Sequence, residues 1–236
     1  MELGHIYKKT NETSYALGAS LTYELLIEKS TFVQKVYFHS AFLKSSEYDK
    51  FIALCDKHNI THEINDRAIN RLSRKENCLV IGEFSKFASS INPDTNHLVL
   101  VDPSNMGNLG TIIRTATGFD IVDIAIIKPG VDIFDPKVVR ASMGALFHVR
   151  FSYFDSFDGY LESVSPRELF TFRLNGETTL QKTTSSKYSL IFGNEASGLS
   201  AEFDHIGTGI RIDHNTNIDS LSLPIAVGIA LFAFKE

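Results

Sequence analysis

The side chains best equipped for chemistry lie in three short segments of the 236-residue chain, far apart in sequence. The first runs from Asp102-Pro103 through Asn105, Gly107, Asn108 and Gly110 to Arg114. An apolar strand ending in Asp-Pro, followed by small residues and then a helix, makes a tight turn whose backbone N–H groups face a ligand. Gly107 and Gly110 permit unusual backbone angles and close approach, and Asn108 is placed to cap the helix. Arg114 follows within the first two turns, where its side chain reaches back toward the strand ends, the usual ligand position in open α/β sheets. The second segment, Gly193-Asn194-Glu195-Ala196-Ser197-Gly198-Leu199, leaves the carboxyl end of another apolar strand. Gly193 lets backbone pass close to a ligand, and Glu195 brings a carboxylate to the same region. The third runs from Ile212 through Ser220, Leu221 and Ser222 into an apolar helix, with Pro224 suited to its first turn.

Taken singly, each segment reads equally as a plain turn, and Ser220 and Ser222 as helix-capping residues. The glycines do not form Gly-x-Gly-x-x-Gly, which argues against a dinucleotide loop.

Other elements must position these segments. Lys35 to His39 is rich in aromatic and β-branched residues and reads as a strand. Ser45-Ser46-Glu47 starts an amphipathic helix to about His58, with Tyr48, Phe51, Ile52 and Cys55 on one face. Ile60 to Ile64 reads as a strand, Asp66 to Leu72 as a short helix, and Leu79-Val80-Ile81 as a buried strand. Phe87 to His97 is polar and forms the best linker candidate. Strands then follow at 98–101, 121–127, 147–151, 169–172, 188–192 and 209–212. Helices fall at 108–119, 136–144 with Asp135 as cap, 157–164 and 221–234. The repeated strand–helix units predict an α/β protein with a mostly parallel sheet and helices on both faces, divided into residues 1–90 and 94–236.

Bulk properties bound the function. The 43% hydrophobic content is ordinary for a globular protein. The longest apolar stretch, Leu221 to Phe234, is shorter than the ~18–20 residues of a membrane helix, and the first residues lack a signal-peptide pattern. These features predict a cytoplasmic protein with no membrane partner. Cys55 and Cys78 offer neither a disulfide framework nor zinc spacing, and the eight histidines are scattered, so no metal site is expected. The net charge of −5 argues mildly against nucleic acid, but it is uneven. Residues 1–93 hold 12 Lys and Arg against 11 Asp and Glu, net +1, and residues 94–236 hold 11 against 17, net −6. Any RNA contact should therefore use local basic patches toward the front of the chain. Arg67, Arg71, Arg74 and Lys75 are the best such cluster; a solvated helix face is the competing reading.

The order and spacing of the three segments resemble the three motifs of the SpoU (TrmH-like) branch of the SPOUT methyltransferases, which move a methyl group from S-adenosylmethionine to a ribose 2′-hydroxyl of tRNA or rRNA. The resemblance covers residues 98–234. It implies that Asn108 and Arg114 stand at the substrate ribose, with Glu195 in the catalytic pocket, able to pair with Arg114. It places Gly193, Gly198, Ile212 and Leu221 around the cofactor, Ser220 and Ser222 near the reacting centre, and Thr171 as a further cofactor-side contact. The segment Asp135-Pro136-Lys137-Val138-Val139-Arg140-Ala141-Ser142-Met143-Gly144-Ala145 is similar to a family run that packs close to the first motif. Residues 1–90 look more loosely like the small RNA-binding domain that often precedes this catalytic domain. A C-terminal trefoil knot and a homodimer are implied by the resemblance alone.

Two points depart from the pattern. Asp213 and His214 replace a Pro-Met pair, and Ser222 replaces an Asn. Family mechanisms cast the Arg as general base, but a guanidinium stays protonated in proteins; Arg114 is better read as positioning phosphate and 2′-hydroxyl. The alternatives are an RNA-binding protein on the same fold with weakened catalysis, and an unrelated nucleotide-dependent enzyme on a doubly wound sheet. The sequence names neither the RNA nor the nucleotide.

Overall fold

Strand–helix alternation governs the whole chain. The computed structural model describes residues 6–73, 77–180 and 187–235. The first elements are β1 (Thr13–Leu17), α1 (Ala19–Glu28), β2 (Val33–Phe38), α2 (Tyr48–Lys57), β3 (Thr61–Ile64), α3 (Asp66–Leu72) and β4 (Val80–Ser85). Then come β5 (His97–Val101), α4 (Met106–Gly118), β6 (Asp123–Ile127), α5 (Pro136–Ala141), β7 (Arg150–Phe154), α6 (Phe157–Glu162), β8 (Glu168–Phe172), β9 (Thr178–Thr179), β10 (Tyr188–Phe192), β11 (Thr208–Arg211) and α7 (Leu223–Phe234). Two compact units result: Met1–Ala88 with Asp132–His148, and Ser89–Val131 with Val149–Glu236. Residues 132–148, which a linear division at 90–94 leaves in the second part, group with the first.

The first unit carries a four-stranded sheet in the order β1-β4-β2-β3, with β2 and β3 parallel and the other pairs antiparallel. Leu26, Val36, Phe38, Phe51 and Cys55 form the core on one face, and Tyr15, Tyr37, Ala68, Ile69 and Cys78 form the other. Both cysteines are buried and free, and burial pushes the Cys55 thiol up to about 11. α5 packs on β1, and the Ser14 hydroxyl donates to the Phe134 carbonyl.

The second unit is built on a seven-stranded sheet in the order β7-β6-β5-β10-β8-β11-β9, with every strand pair parallel. The chain runs outward from β5 to β6 and β7, then returns so that β10 lies beside β5. That reversal is the switch point where open α/β sheets bind ligands, at the carboxyl ends of the strands. Leu109, Ile112, Ile113 and Ala116 bury one side of α4, and α7 packs on α4 and β10 with Val227, Ala230, Leu231 and Phe234 buried. Val99, Ile127, Tyr160, Ile191 and Phe203 fill a cluster within the same unit.

Several elements differ from the sequence pattern. The strand expected at 147–151 begins at Arg150, because Ala145–His148 closes into a 3-10 turn. α5 stops at Ala141, since Met143 and Gly144 take positive φ values of 52° and 93°. Asp135 caps that helix as expected, accepting from the Lys137 N–H at 2.8 Å. Asn108 does not cap α4; Asn105 does, accepting from the Asn108 N–H at 3.0 Å. Glu47 takes the first cap position of α2 without a side-chain hydrogen bond, and Ser45 Oγ instead accepts from the Glu47 N–H. β1, α1 and the two-residue β9 have no counterpart in the sequence reading.

His97, fully buried on β5, gives the second unit a pH-dependent core. Its Nε2 lies 2.7 Å from the Asn92 carbonyl, which can only accept, so Nε2 carries the proton. Nδ1 then accepts from the Tyr160 hydroxyl at 2.8 Å. Burial pushes the imidazole down to about 4, from an ordinary value of 6.5. The fold therefore holds the ring neutral. This stabilisation is complete above pH 6.5 and is lost as pH falls toward 4, about 2 kcal/mol of it by pH 5. Urea unfolding at pH 7, 6 and 5 should show the decline in the wild type and a shallower slope in His97→Asn. Equal slopes would mean that other groups set the pH dependence.

Candidate active site

At the carboxyl ends of β8, β10 and β11, the second unit opens a cleft of about 440 Å³, within the range of small-molecule sites. The loop after β10 forms one wall. Asn194 and Gly198 pair across it in both directions, N–H to carbonyl at 3.1 and 2.9 Å, with Gly198 at φ +68°. Asn194 Oδ1 also accepts from the Ala196 and Ser197 N–H groups. Gly193 must lack a side chain, because a Cβ there would sit 2.1 Å from the Gly198 carbonyl carbon. Phe172 and Phe192, stacked at 4.3 Å and 10°, also line the cleft.

The Glu195 carboxylate does not pair with Arg114. It accepts from the Ser104 N–H at 3.0 Å and the Ser104 hydroxyl at 2.8 Å on one oxygen, and from the Asn105 N–H at 3.1 Å and Asn108 Nδ2 at 3.3 Å on the other. The reason is local. The residues entering α4 present N–H donors with no partner inside the helix, and a carboxylate satisfies them while facing the positive end of the helix dipole. Burial alone would raise the Glu195 pKa, but the Ser104 and Asn105 hydrogen bonds outweigh it and hold the carboxyl below its usual range. The turn is further fixed by Asn194 Nδ2, which donates to the Asp102 carbonyl at 2.7 Å. Asp102 there adopts φ +51°, a conformation that a non-glycine residue keeps only when its surroundings impose it.

The structure brings Gly193, Glu195, Gly198, Ile212, Ser220 and Leu221 onto the cleft wall. Asn108 joins them through Glu195. Arg114 is exposed on α4 and has no ion-pair partner among the described residues. Ser222 stands at the start of α7 without a capping hydrogen bond from its side chain. Thr171 lies apart: it is fully buried in β8, its hydroxyl 3.3 Å from the Ile206 carbonyl. Arg67 and Arg71 are exposed on α3 of the first unit; Arg74 and Lys75 lie outside the described residues. Sequence reading missed Ser104, Asn194 and Arg173. The first two stand inside the motifs as ordinary turn residues, and nothing about Arg173 marks it in the sequence. In the first unit, Glu24, Glu28 and His148 bring one ligand atom each within 4.8 Å of one another. His148 Nε2 lies 3.1 Å from Glu24 Oε2, within hydrogen-bond distance.

The sequence pattern of the SpoU rRNA methylase family matches residues 95–232, more than half of the chain. The chain belongs to that family. Membership brings the reaction class with it, methyl transfer from S-adenosylmethionine to RNA, and sets the nucleotide-dependent alternative aside. An uncharacterised tRNA/rRNA methyltransferase of Synechocystis is 31% identical over 67% of this chain, and the match spans 66% of that relative's length. The 23S rRNA (guanosine(2553)-2′-O)-methyltransferase of Bacillus subtilis is 26% identical over 58% of this chain and 57% of its own. The AdoMet-bound rRNA methyltransferase of Sinorhizobium meliloti superposes with a TM-score of 0.78 at 25% identity, covering 94% of this chain and 86% of that one. The α/β architecture with its seven-stranded parallel sheet is thus that of SpoU methyltransferases. The cleft suits the cofactor: Phe172, Leu199, Ile210, Ile212 and Leu221 line it with apolar surface of the kind that takes a nucleoside. Among the described residues, no helix is long and apolar enough to cross a membrane.

Proposed function

We propose that this protein methylates a ribose 2′-hydroxyl of rRNA or tRNA, with the reacting ribose held between Arg114, Asn108 and the cofactor cleft. The observation that carries this reading is the Glu195 carboxylate, whose four hydrogen bonds join the cofactor loop to the turn that opens α4. Bound S-adenosylmethionine supplies an electrophilic methyl group. The chain's part is to hold the ribose oxygen in line with it, and alignment of this kind supplies much of a two-substrate rate. Arg114 binds phosphate and orients the hydroxyl, leaving proton removal to solvent or the RNA. Gly193, Gly198, Ile212 and Leu221 cradle the cofactor mostly through backbone, which is why Asp213 and His214 are tolerated nearby. Ser220 and Ser222 present hydroxyls near the reacting centre. Thr171 supports β8 behind the cleft.

The rest of the reading follows the family. Residues 1–90 bind RNA, with Arg67 and Arg71 in contact with phosphate, and the protein works in the cytosol without a metal. Two copies associate through α7, where Ile225 and Phe232 are 55% and 74% exposed. The knot fits a helix that follows β11 yet packs on α4 and β10. The test is incubation with methyl-labelled S-adenosylmethionine and separate tRNA and rRNA pools, followed by alkaline hydrolysis. Label retained in alkali-resistant dinucleotides is expected; label confined to bases, or none in either pool, would overturn the ribose assignment.

A further inference from the structure

Arg173, the residue that follows β8, is the only Lys or Arg among the described residues lining the cleft. Its backbone N–H donates to the Ile210 carbonyl at 3.0 Å, tying it to β11. Its guanidinium lies across the backbone of Gly209, where a Cβ would meet Nη2 at 2.1 Å. Nη1 donates to Asp204, which also lines the cleft. The side chain is only 9% exposed, yet Nε is buried without a hydrogen-bond partner. A buried guanidinium donor left unpaired is unfavourable.

Arg150 shows what the Nε–Nη2 edge does when it is satisfied. Its Nε donates to Asp123 Oδ1 at 2.7 Å and its Nη2 to Oδ2 at 2.5 Å, a two-pronged grip on one carboxylate. In Arg173, Nε has no hydrogen-bond partner among the described residues and lies with Nη2 against Gly209, while Nη1 is engaged by Asp204. S-adenosylmethionine carries a sulfonium, an ammonium and one carboxylate. The carboxylate is its sole anion, and among the described residues Arg173 is the sole permanent cation of the cleft wall.

We propose that Arg173 anchors the carboxylate at the methionine end of the cofactor, positioned for it by Asp204 and by the bare backbone of Gly209. The proposal rests on the S-adenosylmethionine reading of the cleft. It makes Arg173 a binding and specificity residue, and it orients the ligand with its amino-acid end toward the ends of β8 and β11.

The test is calorimetric titration of the full chain with S-adenosylmethionine, S-adenosylhomocysteine and 5′-methylthioadenosine; the last keeps the nucleoside but lacks the amino-acid end. Arg173→Gln should weaken binding of the first two by about 10- to 100-fold and leave the third unchanged. Arg173→Lys should recover part of the loss. A parallel loss for 5′-methylthioadenosine, or no loss for any ligand, would overturn the proposal. Should Arg173→Gln fail to fold, decarboxylated S-adenosylmethionine on the wild type decides: about 10- to 100-fold weaker binding supports the anchor, and equal binding refutes it. A wild type that binds none of these ligands refutes the cofactor reading instead.

Discussion

Replacing Arg114 by alanine is expected to reduce methyl transfer by about a thousand-fold while leaving cofactor affinity unchanged. The size follows from removing a fixed cation that orients the reacting group, a change that lowers rates by roughly two to three orders of magnitude. The selectivity follows from geometry. Arg114 is exposed, lacks an ion-pair partner among the described residues, and is not among the residues that line the cofactor cleft. Stability should therefore change by less than about 0.5 kcal/mol. Single-turnover methylation and calorimetric titration on the same sample check both halves. Lost cofactor binding, or a lowered unfolding midpoint, would show that Arg114 is structural; an unchanged rate would remove it from the reacting centre.

Gly193→Ala should act in the opposite manner, through the cofactor and the fold together. The added methyl would lie 2.1 Å from the Gly198 carbonyl carbon, 2.2 Å from its oxygen and 2.3 Å from the Leu199 nitrogen. All three are backbone atoms, so no side chain can swing aside. The loop must open, breaking the paired Asn194–Gly198 hydrogen bonds that shape the cleft wall. A destabilisation of about 2–4 kcal/mol is expected, at the upper end of overpacking effects, together with at least a hundred-fold loss of S-adenosylmethionine affinity. Denaturant unfolding and titration measure the two separately. Wild-type affinity in this variant would show that the loop is pliant and does not shape the pocket.

The motifs were legible because chemistry is concentrated where strands end, and glycine, asparagine and proline mark such places openly. The order of elements from β2 onward, apart from the two-residue β9, was legible because apolar runs alternate with amphipathic ones. β1 and α1 were not, since Ser14 and Thr22, polar residues, are fully buried in them and blur the pattern. The partner of Glu195 was misread for another reason. Opposite formal charge suggested Arg114, but three hydroxyl and backbone donors and one amide converge on the carboxylate, all from Ser104, Asn105 and Asn108 at the start of α4. Arg173 and Asp204 could not be paired from sequence at all: parallel strands with intervening crossovers bring them together, and a single Arg near a single Asp is unremarkable in a list of letters. The grouping of residues 132–148 with the first unit is equally invisible, because contact rather than composition assigns that segment.

The Glu195 carboxylate has a thermodynamic consequence. It belongs to the loop that walls the cofactor cleft, and its hydrogen bonds end on the turn that carries Asn108 and begins the helix of Arg114. In the function proposed above, the methyl-donor and acceptor sites thus share one element. Whatever factor by which a bound cofactor improves RNA affinity through that element must return, undiminished, as the factor by which bound RNA improves cofactor affinity.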